Sequence, residues 1–513
     1  MQTNDIVIIG SGIACTSTLI ELFNNLITNN NPQDKLSITV IEKHHELWKG
    51  IPYGSRSSQN ALTITSINDF FTSDKERALF FEWLYANMEE LNHHYILNNG
   101  DTAKTWYENN RKAIEAHDWY KVYIPRFIFG KYQLLRFNKA LKTVEEKGLA
   151  TLNTINAEAI DVRVDENNLY EVTFEKADQS TDKIKARKLV VATGSAPSGE
   201  IVDPSTLDDN ILYIKDVYDP STETNIEKIR QVLNNAGESE KNILIIGSNA
   251  SSLEFLYLLS GHADIKAMVN KITVLSKSGC LPNHISNDTF VDNPLVHLNE
   301  LKTKDSFDIN TLIDAARKDI RIATQDGVVI ISSIDKIIGC TIEMLNQLDD
   351  DAKNAFFGIY GMQLSNIFRR AGNDYKGGAQ SWINSGQLQL VKGAAISLEL
   401  AEGLGAINYI DENNLEKKHD ARFKIVINCS GSDNLDSSSS RLLYNLVHNK
   451  LCKMNLSGKG IYVNDKFEAA PNLYVIGPLL GGNRNNRIYF WHLENASRLM
   501  YLAPYLAKEL AEF

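Results

Sequence analysis

The sequence predicts an α/β protein with two parallel-sheet units, and three observations support this fold class. A short apolar strand, Asp5–Ile9, runs directly into Gly10 and Gly12, and an apolar helical pattern follows. The same order of strand, glycine turn and helix recurs from Asn242 onward. Elsewhere in the chain, further short apolar strands lead into a glycine, which allows close approach of a ligand or a neighbouring loop.

The first unit has the parts of a dinucleotide site. Gly10 permits the tight turn from strand to helix, and Gly12 lets the backbone approach a pyrophosphate, which the positive helix N-terminus attracts. The second strand, Ile38–Ile41, ends in Glu42, which can accept hydrogen bonds from ribose hydroxyls and repels a 2′-phosphate. This unit therefore predicts FAD or NAD rather than NADP. Because Cys15 occupies the third glycine position, we expect helix and strand to pack slightly further apart.

The second unit differs from the first at its ligand-facing positions. Gly247 keeps the turn, but Asn249 replaces the second glycine. Asparagine tolerates left-handed backbone conformations, yet its side chain could obstruct a pyrophosphate. The next strand, Ile272–Leu275, leads into Ser276 and Lys277, a hydroxyl and a cation that suit a 2′-phosphate. This favours NADPH over NADH, although Lys277 as a solvated surface lysine is an equal alternative.

Composition limits the class of protein. The 513 residues suffice for two or three domains, and 43% hydrophobic with 23% charged residues is ordinary globular composition. A net charge of −11 disfavours nucleic acid and anionic membranes as partners. We expect no secretory signal, no transmembrane helix and a cytoplasmic location. The five cysteines form no CxxC pair, which supports neither a metal site nor a redox disulfide.

Three further motifs carry a family resemblance: Gly50–Gly54, Pro125–Tyr132, and Leu275–Pro282 followed by His284. Together with the two glycine units, the chain resembles the bacterial FAD-NAD(P)-binding family of flavoproteins with two dinucleotide-binding domains. That family is related to flavin-dependent N-hydroxylating monooxygenases. The chain departs from the family pattern at Lys277, where the family has arginine.

The resemblance implies two Rossmann-like dinucleotide-binding domains, with an NAD(P)-binding domain inserted into a discontinuous FAD-binding domain. We expect the FAD-binding domain at residues 1–205 and 433–513. The NAD(P)-binding domain is expected at residues 206–432, with an insertion at about 283–380 that shapes the substrate cavity. Gly477 and Pro478 are expected to place the N-terminus of the C-terminal helix beside the flavin.

The residues assigned to cofactor binding each belong to one of these motifs. They are Gly10, Ser11, Gly12, Ile13, Ala14, Glu42, Lys43, Gly50, Pro52, Tyr53, Arg126, Thr193, Gly194, Gly247, Ser248, Asn249, Ser252, Ser276, Lys277, Gly477 and Pro478. No catalytic residue is assigned. The substrate-side candidates follow the last glycine loop and are equally compatible with a polar helix cap: Arg484, Arg487, Tyr489 and His492.

The resemblance implies an NAD(P)H-using, FAD-dependent oxidoreductase. The leading hypothesis is a monooxygenase for a small polar substrate such as an amine, in which NADPH reduces FAD and the reduced flavin traps O₂ as a hydroperoxide. One alternative is a flavin dehydrogenase or reductase that does not oxygenate. The other is a non-catalytic flavin-binding protein with a decayed NADP site, for which Asn249 is the main support.

Overall fold

The chain folds into two parallel-sheet domains, the second inserted into the first, which confirms the predicted fold class. The computed structural model describes residues 3–29, 35–71, 73–202, 210–286, 294–324, 328–484, 489–490 and 496–512. All statements of structure below concern these residues. Across the helices described, none combines the length and the apolar character needed to cross a bilayer.

The N-terminal part of the first domain alternates strands with helices and ends in a long β-meander. Its elements are β1 Thr3–Ile9, α1 Ile13–Asn29, β2 Leu36–Glu42, α2 Gly50–Tyr53, α3 Ile67–Phe70, α4 Asp74–Asn98, α5 Gly100–Glu115, α6 Arg126–Glu146, β3 Ala150–Asn156, β4 Glu158–Val164, β5 Tyr170–Glu175 and β6 Thr181–Val191. Helix α6 begins at Arg126 directly after Pro125, as the Pro-Arg motif predicts.

The second domain repeats the same alternation and carries a largely helical insertion. Its elements are β7 Leu212–Ile214, α7 Thr222–Asn235, β8 Asn242–Ile246, α8 Ala250–Ser260, α9 Ala263–Met268, β9 Lys271–Ser276, β10 Asn283–Ser286, α10 Val296–Lys302, α11 Ile309–Ile322, β11 Val328–Ile330, α12 Ile331–Leu345, α13 Asp350–Ala355, α14 Gly361–Ile367, β12 Arg370–Ala371, α15 Asn373–Asn384, β13 Leu388–Lys392, β14 Ala394–Ala401, β15 Leu404–Ile410, β16 Glu416–Lys418 and β17 Ile425–Asn428.

The chain then returns to the first domain. Its last elements are α16 Arg441–His448, β18 Glu468–Ala470, β19 Leu473–Val475, β20 Asn483–Arg484, β21 Tyr489–Phe490 and α17 Ala496–Ala511. A 3₁₀ turn, Pro478–Leu480, lies between β19 and β20. Helix α17 packs along α1, so both ends of the chain build one domain.

The first sheet has the strand order β18-β19-β6-β1-β2-β3, and the strands from β19 to β3 are parallel. Ile8 at its centre pairs with Val40 on one side and Val190 on the other. All three side chains have no exposed area, as the continuous apolar runs of a parallel sheet require. The carboxyl ends of β1, β2, β6 and β19 therefore meet at one edge, where ligands of such folds bind.

The second sheet has the order β13-β9-β8-β17-β7, and every neighbouring pair is parallel. Its helices α8 and α15 pack on it around the buried Trp382. The insertion has an apolar core of its own, formed by residues such as Leu312, Ile337 and Phe356. Sequence reasoning leaves this segment mixed; its described part is mainly helical.

Candidate functional site

The first glycine turn joins β1 to α1 at the carboxyl edge of the first sheet. Gly10 has φ +97°, and its N–H donates to the carbonyl of Ile41 at 2.8 Å. A Cβ at this position would lie 2.5 Å from the carbonyl oxygen of Ala192 at the end of β6. Both the positive φ and the close approach require glycine, so the predicted tight turn at Gly10 is confirmed.

Glu42 at the end of β2 lies against this turn. Its Oε2 accepts hydrogen bonds from the backbone N–H of Ser11 at 2.8 Å and from the Ser11 hydroxyl at 3.0 Å. Its Oε1 accepts from the N–H of His44 at 3.0 Å. The carboxylate is thus fixed beside the start of α1, at the position from which a ribose hydroxyl can be bound.

The segment after β2 packs against the first turn of α1. The Thr16 hydroxyl donates to the carbonyl of Trp48 at 2.8 Å. Gly50, with φ +63°, would place a Cβ 3.0 Å from the Cα of Gly12. Gly12 and Gly50 therefore pack against one another, and a side chain at either position would push the two backbone segments apart. Pro52 lies exposed in the short helix α2 that follows.

On the opposite side of the turn, the edge is open. A Cβ at Gly194, where φ is +83°, would meet no described atom within 4 Å. Gly477, with φ +101°, lies near the Ala14 side chain, to which a Cβ would approach to 3.6 Å. Thr193 lies next to Gly10 and is exposed. The edge thus has room for a ligand along the N-terminus of α1, whose first N–H groups, including that of Ile13, lack intrahelical partners.

Gly477 and Pro478 lead away from this edge through two further turns of the chain. They enter the 3₁₀ turn Pro478–Leu480 and then the β20–β21 hairpin, and the described part of the C-terminal helix is Ala496–Ala511. The placement of that helix's N-terminus beside the flavin stays a prediction.

A polar cavity of about 560 Å³ opens beside Glu42, between the two domains. Lys43, His44, Asn156 and Ala157 line it next to the carboxyl ends of β2 and β3. His44 contacts Arg56 at 2.5 Å; burial first, and then the positive charge of Arg56, lower the pKa of its imidazole. The rest of the lining carries charges of both signs, such as Lys215 and Asp216. The fit to FAD therefore rests on the glycine turn, on its free helix N-terminus and on the Glu42 carboxylate beside it.

The second glycine turn repeats the first. Gly247 has φ +101°, its N–H donates to the carbonyl of Leu275 at 2.8 Å, and a Cβ there would collide with the carbonyl of Cys429. Asn249 has φ −81° and ψ −168°, an extended conformation that any residue adopts. Asn249 therefore does not use the left-handed region, and its side chain forms no capping hydrogen bond to the described part of α8.

Hydroxyl groups and one cation surround this second turn. The Ser278 hydroxyl lies 3.2 Å from that of Ser248 and 3.3 Å from that of Ser276. Lys277 is exposed and forms no ion pair with any described residue. The Ser252 hydroxyl, in the first turn of α8, is buried without a described hydrogen-bond partner, which fits a site that a bound nucleotide completes.

The structure gives Arg126 a partner that sequence reasoning missed. Its Nη2 lies 2.6 Å from Glu254 Oε1, and both side chains are buried. Burial opposes the charge of Arg126, but the carboxylate of Glu254, together with the nearby Tyr375, Tyr218 and Tyr53, holds the pKa of Arg126 above its ordinary value. A lone acid within the apolar run of α8 is the sequence signal that indicates such a buried partner. Tyr53 lies close enough to Arg126 to interact with its charge.

The substrate-side candidates are only partly described. Arg484 Nη1 binds Asp350 Oδ1 at 3.0 Å, so it joins the C-terminal hairpin to helix α13 of the insertion. The backbone of Tyr489 pairs with Arg484 in that hairpin. Arg487, His492 and the side chain of Tyr489 lie outside the described residues. No group of three or more His, Cys, Asp and Glu within the described ranges has the arrangement of a metal site.

Comparisons with known proteins agree with this geometry. Residues 7–196 match a family model described as FAD-NAD(P)-binding. The uncharacterised protein Rv3403c of Mycobacterium tuberculosis is 34% identical over 512 residues, which cover 99% of this chain and 95% of that protein. A protein of Mycobacterium bovis, Mb3437c, also uncharacterised, matches with the same figures.

Two solved structures share the fold over nearly the whole chain. The cadaverine monooxygenase DfoA of Erwinia amylovora, bound to FAD, is 11% identical with a TM-score of 0.57, covering 99% of this chain and 95% of its own. The ornithine N-hydroxylase KtzI of Kutzneria, with reduced FAD and NADP⁺, is 13% identical with a TM-score of 0.50, covering 99% of both chains. The chain is therefore a member of the FAD-NAD(P)-binding family of flavoproteins with two dinucleotide-binding domains, related in fold to the flavin-dependent N-hydroxylating monooxygenases.

Proposed function

We propose that this flavoprotein is an NADPH-dependent oxidoreductase that transfers one oxygen atom from O₂ to a small polar substrate. One observation carries the proposal. The chain has two glycine turns of the same backbone geometry, one facing a carboxylate at Glu42 and the other facing hydroxyls at Ser276 and Ser278. Two different dinucleotides, an electron donor and an electron acceptor, suit this pair of sites.

The first turn would hold FAD. The free N–H groups at the start of α1 would bind the pyrophosphate, and Glu42 would accept hydrogen bonds from the ribose of the adenosine. The open edge near Gly194 and Gly477 leaves room for the flavin ring. Bound flavin supplies hydride acceptance and reaction with O₂; the protein's part is to orient the reactants and to exclude water.

The second turn would hold NADPH. Ser276, Lys277 and Ser278 present two hydroxyls and a cation at the end of β9, and the strand ends without a carboxylate that would repel a 2′-phosphate. NADH, which lacks that phosphate, would gain less from Lys277. The position of Asn249 at the start of α8 allows its amide to donate to a pyrophosphate oxygen.

An amine is the substrate class we propose. DfoA and KtzI, which share the fold, act on cadaverine and ornithine by the names they carry. The insertion contacts the C-terminal hairpin through the ion pair of Arg484 and Asp350, so it reaches the segment that follows Gly477. A site that excludes water would protect the oxygenated flavin from decaying before it meets the substrate.

The test is to incubate the purified protein with NADPH, ¹⁸O₂ and a panel of small mono- and diamines. We expect one ¹⁸O atom in a hydroxylated product, with NADPH consumption matched to product. The matched control is Gly247→Ala, which should abolish NADPH consumption but keep the flavin. NADPH oxidation that yields hydrogen peroxide with every amine would contradict the monooxygenase and favour a flavin oxidase or reductase.

A flavin dehydrogenase or reductase needs the same cofactor residues. The missing CxxC pair disfavours a disulfide reductase among these alternatives, and the structure buries Cys15, Cys340, Cys429 and Cys452. A dehydrogenase would reduce its flavin with NADPH and pass the electrons to an added acceptor without incorporating ¹⁸O. A protein that retains FAD but is not reduced by NADPH would be the non-catalytic alternative.

A further inference from the structure

A buried ion pair joins the two nucleotide-binding domains. Arg126 is the first residue of α6 in the first domain, and Glu254 lies in the second turn of α8, directly behind the glycine turn of the second domain. The two charged groups are 2.6 Å apart, and only 10% of the Arg126 side chain and 6% of the Glu254 side chain are exposed. The contact therefore links the helix that would bind NADPH to the body that would bind FAD.

The carboxylate of Glu254 has two further partners beside Arg126. Its Oε1 accepts a hydrogen bond from the Tyr218 hydroxyl at 3.1 Å, and its Oε2 lies 3.2 Å from the Tyr375 hydroxyl, whose single hydrogen also faces the Leu62 carbonyl at 3.0 Å. Arg126 Nη2 also donates to the Ser57 hydroxyl at 2.8 Å. Burial, and then the charge of Glu254, raise the pKa of both tyrosines, so they remain neutral donors at physiological pH.

From Arg126 the contacts continue to the first glycine turn. One turn along α6, Gly130 packs directly on the backbone of Tyr53, where a side chain would collide with the Tyr53 carbonyl. The Tyr53 ring lies edge-on to Phe129, with the ring centres 5.1 Å apart. Tyr53 ends α2, whose first residue, Gly50, faces Gly12. A continuous chain of packed groups thus runs from α8 to the N-terminus of α1.

Neighbouring contacts hold the same interface from a second side. Arg56 donates from Nε to the carbonyl of Tyr218 at 2.9 Å, and the carbonyl of Arg56 accepts from the N–H of Thr222 at 2.9 Å. The Ser58 hydroxyl donates to Glu223 at 2.5 Å. The apolar core around the ion pair contains residues of both domains, and Arg126 Nε is buried there without a described hydrogen-bond partner.

A buried ion pair of this kind adds little net stability compared with an apolar pair of the same size, and its best-attested use is to fix register. We propose that Arg126 and Glu254 are positioning residues: their ion pair fixes the register of α8 against α6 and so sets the alignment of the nicotinamide with the flavin. This inference rests on the proposed function, because alignment matters where a hydride passes from NADPH, which is oxidised, to FAD, which is reduced. Gly130 and Gly50 transmit this alignment to the first glycine turn, because each allows close packing of two backbone segments that a side chain would push apart.

The test compares an apolar replacement of the pair with the wild-type protein. In Arg126→Met/Glu254→Leu, no buried charge is left alone, so the fold and the FAD content should be retained. We expect the limiting rate of anaerobic flavin reduction by NADPH to fall at least about tenfold, while the half-saturating NADPH concentration changes less than about twofold. Light-driven reduction of the flavin, which needs no nicotinamide, should be unchanged. A wild-type limiting rate in this variant would overturn the proposal.

A second readout does not depend on activity. Spin labels at Lys142→Cys in the first domain and Glu238→Cys in the second, with Cys280→Ser to remove the exposed native thiol, report the distance between the domains. We expect a narrow distribution with the native pair and a broader or shifted one with the apolar pair; an identical distribution would overturn the proposal. Should the double variant not fold, Arg126→Gln/Glu254→Gln, which keeps hydrogen-bonding side chains of similar size and leaves no buried charge alone, replaces it in both measurements. If NADPH fails to reduce the wild-type flavin, the proposed function is wrong. The spin-label distances then still show whether the ion pair fixes the register of α8 against α6.

Discussion

The two glycine turns have nearly the same backbone and different surroundings. Gly10 and Gly247 have φ of +97° and +101°, and each donates its N–H to the neighbouring strand at 2.8 Å. The serine that follows each glycine contacts Glu42 in the first turn and Ser278 in the second. The shared backbone fits the binding of a pyrophosphate at each turn, and under the proposed function the side chain at the end of the next strand would select the ribose.

The two turns also differ at their second glycine position, which is Gly12 in the first turn and Asn249 in the second. Gly12 faces Gly50 of the loop after β2, and the two backbones touch. Asn249, at the corresponding place, adopts an extended conformation. The glycine at position 12 is therefore explained by the packing of the FAD side, whereas the NADP side can accommodate a side chain at this place.

The largest effect is expected from adding a Cβ at either turn. Gly10→Ala should destabilise the fold by about 2–5 kcal/mol, from left-handed strain and from the collision with Ala192, and the protein should lose FAD. Gly247→Ala should keep FAD and lose its response to NADPH. Thermal unfolding and the flavin spectrum measure both outcomes.

Matched controls separate strain from collision. Gly148 and Gly386 have φ of +69° and +71°, and a Cβ at either would meet no described atom within 4 Å. Gly148→Ala and Gly386→Ala should therefore lose about 1–2 kcal/mol from backbone strain alone. If Gly10→Ala behaves like these controls, the close approach at the turn does not matter.

The next effect concerns Glu42. Glu42→Gln should weaken FAD binding by about 1–3 kcal/mol, because a charge-assisted hydrogen bond to the ribose and to Ser11 is lost. Glu146→Gln, an exposed acid on α6, is the control and should leave binding unchanged. FAD released on dilution is measured by fluorescence; full retention in Glu42→Gln would make Glu42 a surface acid at a strand end.

On the NADP side, Lys277→Ala should reduce the preference for NADPH over NADH by about 1 kcal/mol. The native preference should also weaken with added salt, since Lys277 is exposed. Lys228→Ala, an exposed lysine on α7 of the same domain, is the control. Flavin reduction rates at low nucleotide concentration measure the preference, and an unchanged ratio in Lys277→Ala counts against the assignment.

The smallest effect is expected at Asn249. Its amide has no bond to the described start of α8 and is free to bind a nucleotide, so Asn249→Gly should weaken NADPH binding by about 0.5 kcal/mol. Titration of the oxidised protein with NADP⁺ measures the change. Tighter binding would mean that the native site is obstructed, which supports the non-catalytic alternative.

The sequence predicts much of this comparison because both turns are local. Gly10 and Gly247 each follow an apolar strand and precede a helix, and such patterns dictate backbone conformation within about ten residues. The carboxylate at Glu42 and its absence at Ser276 are also visible in the sequence, because each stands at the end of a strand.

What the sequence does not predict depends on distant contacts. Arg126 and Glu254 are 128 positions apart, and the Pro-Arg motif gives no sign that the guanidinium meets the second nucleotide helix rather than a cofactor. The contact between Gly12 and Gly50 likewise depends on how the loop after β2 folds back onto α1. The hairpin between Pro478 and α17 also depends on pairing that the sequence pattern does not show.

The central claim is that one chain holds FAD at the first turn and receives hydride from NADPH at the second. The most direct test is to purify the protein, confirm a yellow, non-covalent FAD that denaturation releases, and follow the flavin absorbance without oxygen. The account predicts that NADPH bleaches the flavin and does so faster than NADH at low concentration. A colourless protein that FAD does not reconstitute, or a flavin that neither nucleotide bleaches, would contradict it.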